Sequence, residues 1–195
     1  MSGEFNGSML RLARQYRGFQ QRDLADAIAV DAAILSRAEN GALVPAGHVI
    51  EKCADHLRVP INFFYTAFYP NGLPLSFHAM WRRKQSVLQR ERDRVLAEVN
   101  IRAFHLRRLL NSLGLNPDLP LPRYEPGEHE NDCRKIARMV RRAWGLPAGP
   151  LINLTACVER AGVFVFHLVL EYVDVDGLTL MLPNTPPCIF LNKHL

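Results

Sequence analysis

At 195 residues, with 48% hydrophobic and 22% charged side chains, the chain has the size and composition of one large globular domain or two small ones, which excludes a (β/α)₈ barrel and wholesale disorder. Its formal charge of +5 is unevenly spread: residues 1–66 are net 0, residues 67–112 are +6 and residues 113–195 are −1, so attraction to polyanions is expected in the middle. No apolar run approaches the ~20 residues of a membrane span, the start MSGEFNGSML has no signal-peptide pattern, and Cys53, Cys133, Cys157 and Cys188 lie too far apart for a CxxC site, so a cytoplasmic chain with free thiols and no membrane contact is expected.

Residues 9–17 place Met9, Leu12, Ala13 and Tyr16 on one helical face, and Gly18 stops that helix. Gln20–Ile28 repeats the pattern with Leu24, Ala25 and Ile28 inward. Asp31 caps a third helix over 32–39, closed by Gly41 and Pro45, and Ala46–Leu57 is a fourth, with Val49, Ile50, Cys53, Ala54 and Leu57 inward. Pro60 opens a fifth short one through Phe63 and Phe64, which predicts an all-α N-terminal unit over residues 1–68. Residues 69–127 read as a basic linker in which 85–113, without Gly or Pro, forms one long helix. Leu88, Val95, Val99, Leu106, Leu109, Leu110 and Leu113 give it a one-sided apolar stripe. Pro117, Pro120, Pro122 and Pro126 stiffen the chain beyond it. Residues 128–195 predict a small α+β unit: a helix from Glu128 to Trp144, another at 151–159, then β-forming runs at 163–170, 178–182 and 188–191. These strands are expected in a short antiparallel sheet with a hairpin across Asp174–Gly177.

The strongest mechanistic signal is FQQRDLADAIAVDAAILSRAENG, residues 19–41. Two short helices joined across Ala29–Asp31 read as a helix-turn-helix, whose second helix enters the major groove while the first crosses the backbone; a helical hairpin without any DNA role fits the same spacing. Through FQQRDLA, SRAENG and Pro45, the stretch from Leu10 to Phe64 resembles the lambda-repressor-like, or XRE, family of transcriptional regulators. The resemblance implies that Gln21, at the start of the second helix, contacts phosphate and braces the recognition helix. It also implies that Ala32, Ala33, Ser36 and Arg37 approach bases or backbone and that Glu39 and Asn40 lie at the end of that helix, with Gln20 and Arg22 as further phosphate candidates. Family members commonly carry Gln, Ser or Thr where this chain has Ala32 and Ala33. Alanine gives a base edge only apolar contact, such as a thymine methyl, so readout would rest on Ser36, Arg37 and Asn40. Ala29 stands where the turn often has Gly, which implies a backbone angle that an L-residue tolerates.

A net-neutral unit attracts DNA only weakly, so the basic stretch Trp81–Ser86 is the natural supplement, with Arg82, Arg83 and Lys84 as candidate phosphate contacts and Arg90, Arg92 and Arg94 following. A solvated helix face pairing these arginines with Glu91, Asp93 and Glu98 is the competing reading. Residues 128–195, through CRKIARMVRRAWGL, LPAGPLINLTACVERAGVFVF, the DVDG turn and PPCIFLN, resemble the front part of the ImmA/IrrE-type metallopeptidase domain. That family's zinc site uses HExxH, yet no two of His48, His56, His78, His105, His129, His167 and His194 are four residues apart. The expectation is a protein that is not an enzyme and binds no metal or cofactor. It would be a homodimeric, sequence-specific regulator of double-stranded DNA, by family analogy a repressor of phage, prophage or mobile-element genes. One alternative is an antitoxin-like protein whose C-terminal unit holds a protein partner while the DNA-binding unit autoregulates; another, which holds only if the natural protein continues past Leu195 into HExxH, is a zinc peptidase that regulates a transcription factor.

Overall fold

The computed structural model describes residues 3–68, 89–114, 117–169, 176–181 and 186–193, and of Asn111 only the backbone. The candidate contacts Arg82, Arg83 and Lys84, and the Asp174 side of the DVDG turn, lie outside the described residues.

Helix α1 spans Gly7–Tyr16, opened by the Asn6 side chain accepting from the Ser8 N–H at 3.0 Å. Beyond it Gly18 turns the chain with φ +74°, a conformation that favours glycine. Helices α2 (Gln21–Ile28), α3 (Ala32–Glu39) and α4 (Gly47–Leu57) follow, and a 3₁₀ turn over Ile61–Tyr65 replaces the fifth short helix. Each helix turns its apolar stripe inward. Met9, Leu10, Leu12, Leu24, Leu35, Leu57 and Phe64 are essentially inaccessible. Asn6 closes the unit on itself: its N–H donates to the Phe64 carbonyl at 2.7 Å, and its side-chain amide donates to the carbonyls of Thr66 and Phe68, each at 2.9 Å.

Helix α5, Gln89–Leu113, packs along α1. Arg90 and Arg94 lie beside Gly18 at the end of α1, whereas Phe104 meets the rings of Phe63 (6.0 Å) and Phe68 (5.1 Å), whose segment is tied to the start of α1 by Asn6. The two helices therefore run antiparallel. Val95, Val99 and Leu106 of the expected stripe are buried, joined by Ala97, Ala103 and Phe104, but Leu109 and Leu113 are 60% and 59% exposed. The predicted positions 85–88 lie outside the described residues.

A 3₁₀ turn over Pro126–His129 leads to α6 (Cys133–Ala143), which starts later than the Glu128 expected because the Asp132 carboxylate caps it, accepting from the N–H groups of Arg134 (2.8 Å) and Lys135 (3.1 Å). Helix α7 spans Leu154–Arg160 and is capped by Asn153. Strands β1 (Phe164–Leu168), β2 (Gly177–Leu180) and β3 (Cys188–Asn192) follow.

The sheet order is β1-β3-β2, with β1 parallel to β3 and β2 antiparallel to it. This corrects two expectations: the sheet is mixed, and β1 and β2 are not a hairpin across Asp174–Gly177. Strand β3 lies between them, paired with β1 through Phe164–Leu168 and with β2 through Gly177–Leu180. Gly177, read as a turn residue, is instead paired with Leu191 of β3. A Cβ there would lie 2.6 Å from the Phe190 carbonyl oxygen, so the pairing requires a residue without a side chain. The inner face of the sheet, with Leu168, Leu178, Leu180, Cys188 and Phe190, belongs to the same apolar core as the helices.

Candidate nucleic-acid interface

The geometry of α3 follows from its two ends. Asp31 accepts from the Ala33 N–H at 2.8 Å and fixes the first turn. Before it, Ala29 turns the chain with φ 54° and ψ 58°, the left-handed region in which Gly is commonly found, and its N–H closes on the Asp26 carbonyl at 3.2 Å. Lys52 of α4 donates to the Ile28 carbonyl at 3.0 Å and holds the end of α2. With the turn fixed, α3 buries Leu35, Ala38 and Glu39 against α1 and α2 and presents Ala33 and Arg37, one helical turn apart, to solvent.

A buried charge fastens the end of α3. Glu39 is 3% exposed, and its carboxylate accepts from Arg14 Nε (Oε1, 2.5 Å) and Nη2 (Oε2, 2.8 Å), a two-pronged pair between α1 and α3. Gln21 Nε2 donates to the same Oε2 at 2.8 Å, Arg11 Nε lies 3.5 Å from it, and Arg14 also donates to the Phe19 carbonyl at 2.7 Å. One carboxylate thus joins α1, the start of α2 and the end of α3. Gly7 packs directly on the backbone of Ala38, where any side chain would collide. Glu39 also acts on Cys53: burial first, and this negative charge second, push the thiol up to about 11.

The candidate residues divide accordingly. Arg37 and Ala33 are exposed, and Ala32 and Ser36 are half-buried along one side of them. Gln21 is half-buried with its amide on Glu39. Asn40 is exposed, its Oδ1 accepting from Arg11 Nη2 at 2.5 Å, which leaves its amide nitrogen as the outward group. Gln20 and Arg22 are exposed at the start of α2, where the Asp23 carboxylate accepts from the Gln20 N–H at 3.1 Å. The sequence reading missed Arg14 and Arg11 and gave Glu39 no role. The signal for the buried pair was present: Arg14 and Glu39 each stand four residues after a core leucine, Leu10 and Leu35, so two opposite charges occupy apolar stripes. Among the described residues no group of three His, Cys, Asp or Glu side chains is placed to hold a metal ion.

A family model described as a helix-turn-helix domain matches residues 7–62. The match covers α1 to the 3₁₀ turn, so the N-terminal part of the chain is a helix-turn-helix domain, which suggests DNA binding and transcriptional regulation. It does not reach the sheet, and the likeness of residues 128–195 to a metallopeptidase domain finds no support in it. No curated protein and no solved structure matches the chain. Among the described residues no helix is long and apolar enough to cross a membrane.

Proposed function

We propose that the chain is a sequence-specific transcriptional regulator of the lambda-repressor-like, XRE kind that binds double-stranded DNA in the cytoplasm and represses phage, prophage or mobile-element genes. The observation that carries this reading is the outward Ala33–Arg37 edge of α3, set on a helix whose opposite side is immobilised by Leu35, Ala38 and the Glu39 carboxylate. Arg37 is the group suited to a guanine edge or a phosphate, Ser36 supplies a hydroxyl beside it, and Ala33 fits a thymine methyl. A homodimer reading two half-sites about one helical turn apart is part of the proposal, supported by Leu109 and Leu113, exposed one turn apart on α5. The C-terminal unit is assigned a sensing or assembly role.

The test is footprinting on DNA upstream of the gene, with Arg37→Ala and Ser36→Ala. If Arg37 reads a base, Arg37→Ala costs about 1–3 kcal/mol and relaxes specificity at that position; if it holds a phosphate, binding weakens evenly across sequences. Retention of affinity and specificity by both variants defeats the recognition surface.

Ile152 and Leu154, fully and 60% exposed on the C-terminal unit, favour a second reading in which that unit covers a protein partner and the helix-turn-helix domain autoregulates. Copurification of one stoichiometric partner from the native host supports it, and a chain purified alone from that host speaks against it.

A further inference from the structure

The described length of α5 begins beside the helix-turn-helix. A Cβ built on Gly18 would lie 3.7 Å from Arg94 Cδ and 3.9 and 4.0 Å from Arg90 Nη2 and Nε. Gly18 is followed after two residues by Gln21, the first residue of α2, so these arginines stand at the edge of the surface where Gln20 and Arg22 are exposed. Arg90 and Arg94 share a face of α5 by their four-residue spacing, and both are exposed. Of the neighbouring carboxylates, Asp93 accepts from Gln89 Nε2 at 2.8 Å, Glu98 from Arg102 at 2.5 Å, and Asp23 from the Gln20 N–H. The matched domain itself, residues 7–62, is nearly balanced in charge, with seven basic side chains and six acidic ones.

From this placement we infer that α5 is a second DNA-contacting element, with Arg90 holding a backbone phosphate that flanks the site read by α3. The inference rests on the DNA-binding reading and adds to it a positioning contact outside the matched domain. Such a contact carries no sequence information and acts through counterion release.

The experiment measures binding of the full chain to a duplex of arbitrary sequence and to the upstream DNA between about 50 and 200 mM salt. Arg90→Ala should reduce the steepness of log K against log salt by about 1 on both DNAs, with the ratio of the two affinities unchanged. Arg90→Lys, which keeps the charge, should retain the wild-type slope. Arg108→Ala removes an equal charge from the same helix face about five turns, or ~27 Å, further along, and should leave the slope unchanged. An unchanged slope in Arg90→Ala overturns the inference, as does an equal reduction in Arg108→Ala, which would show an effect of net charge alone. A wild-type chain that binds neither duplex overturns the regulator reading and this inference together.

Discussion

Arg14 and Glu39 meet through two parallel hydrogen bonds, Nε to Oε1 at 2.5 Å and Nη2 to Oε2 at 2.8 Å, with 9% and 0% of their side chains accessible. The pair joins the last turn of α1 to the last residue of α3. Two opposed charges deep in a small helical unit cost desolvation, and the geometry offsets it by satisfying both carboxylate oxygens. Removing one partner leaves the other charged and buried. Arg14→Ala should therefore lower stability by about 3–5 kcal/mol, toward the lower figure because Arg11 and Gln21 still reach Glu39. Replacing both residues together with apolar side chains of similar volume should restore most of the loss. Urea unfolding of the three variants checks this, and a single variant as stable as the wild type would show that the pair bears no strain of burial.

Ala29 holds a left-handed backbone, φ 54° and ψ 58°, at the turn between α2 and α3. A Cβ in that region costs roughly 1–2 kcal/mol relative to glycine, while glycine gives back part of this through the entropy of the unfolded chain. Ala29→Gly should raise stability by about 0.5–1 kcal/mol, read as a higher midpoint in thermal unfolding, with DNA affinity unaltered. A lower midpoint would mean that the alanine methyl makes a contact worth more than the strain.

These two sites show where the sequence was legible. The helices α1 to α4 were, through three- and four-residue apolar spacing with Asp31 as a cap and Gly18 as a stop, whereas the Asn6 cap that starts α1 two residues before Met9 was not read. The position of Ala29 in the turn was legible, but the expectation of an angle easy for an L-residue is corrected by its left-handed φ of 54°, since the residue type gives no local sign of strain. The long helix was visible by its lack of Gly and Pro, whereas its return along α1 was not, because Phe104 meeting Phe63 and Phe68 is a contact between distant segments. Strand order failed for the same reason. Alternation and turn residues describe neighbours along the chain, whereas the insertion of β3 between β1 and β2 rests on the parallel pairing of Phe164–Leu168 with Cys188–Asn192, two segments distant in sequence.

Gly177 provides a test of that strand order. In the β2–β3 pairing its α-carbon faces Leu191, and an added methyl would press on the Phe190 carbonyl oxygen at 2.6 Å, backbone that cannot swing aside as a side chain can. Gly177→Ala should cost about 1–3 kcal/mol through overpacking. The loss should appear in thermal unfolding of the full chain, accompanied by faster amide exchange at Leu178 and Phe190. Full stability in this variant would mean that Gly177 occupies a turn and that β2 pairs otherwise.

The four cysteines differ by burial, so thiol chemistry reports on the fold. Cys133 is exposed and Cys157 half-buried, while Cys53 and Cys188 are buried, each 1% exposed, with their thiols pushed from 9.0 up to about 11 by burial and, at Cys53, additionally by Glu39. Only the thiolate attacks a disulfide reagent, so at mildly alkaline pH Cys133 should react first, Cys157 more slowly, and Cys53 and Cys188 only on unfolding. The same shifts set a pH dependence. An acid whose folded pKa lies above its unfolded one favours the fold while it is protonated, so this contribution is intact below about pH 9 and lost as the pH climbs toward 11. The wild type should therefore lose stability over that interval, and a chain with Ala at both buried positions should lose less of its own stability there. Rapid labelling of all four thiols in the folded chain would contradict the packing of both Cys53 against the helices and Cys188 in the central strand.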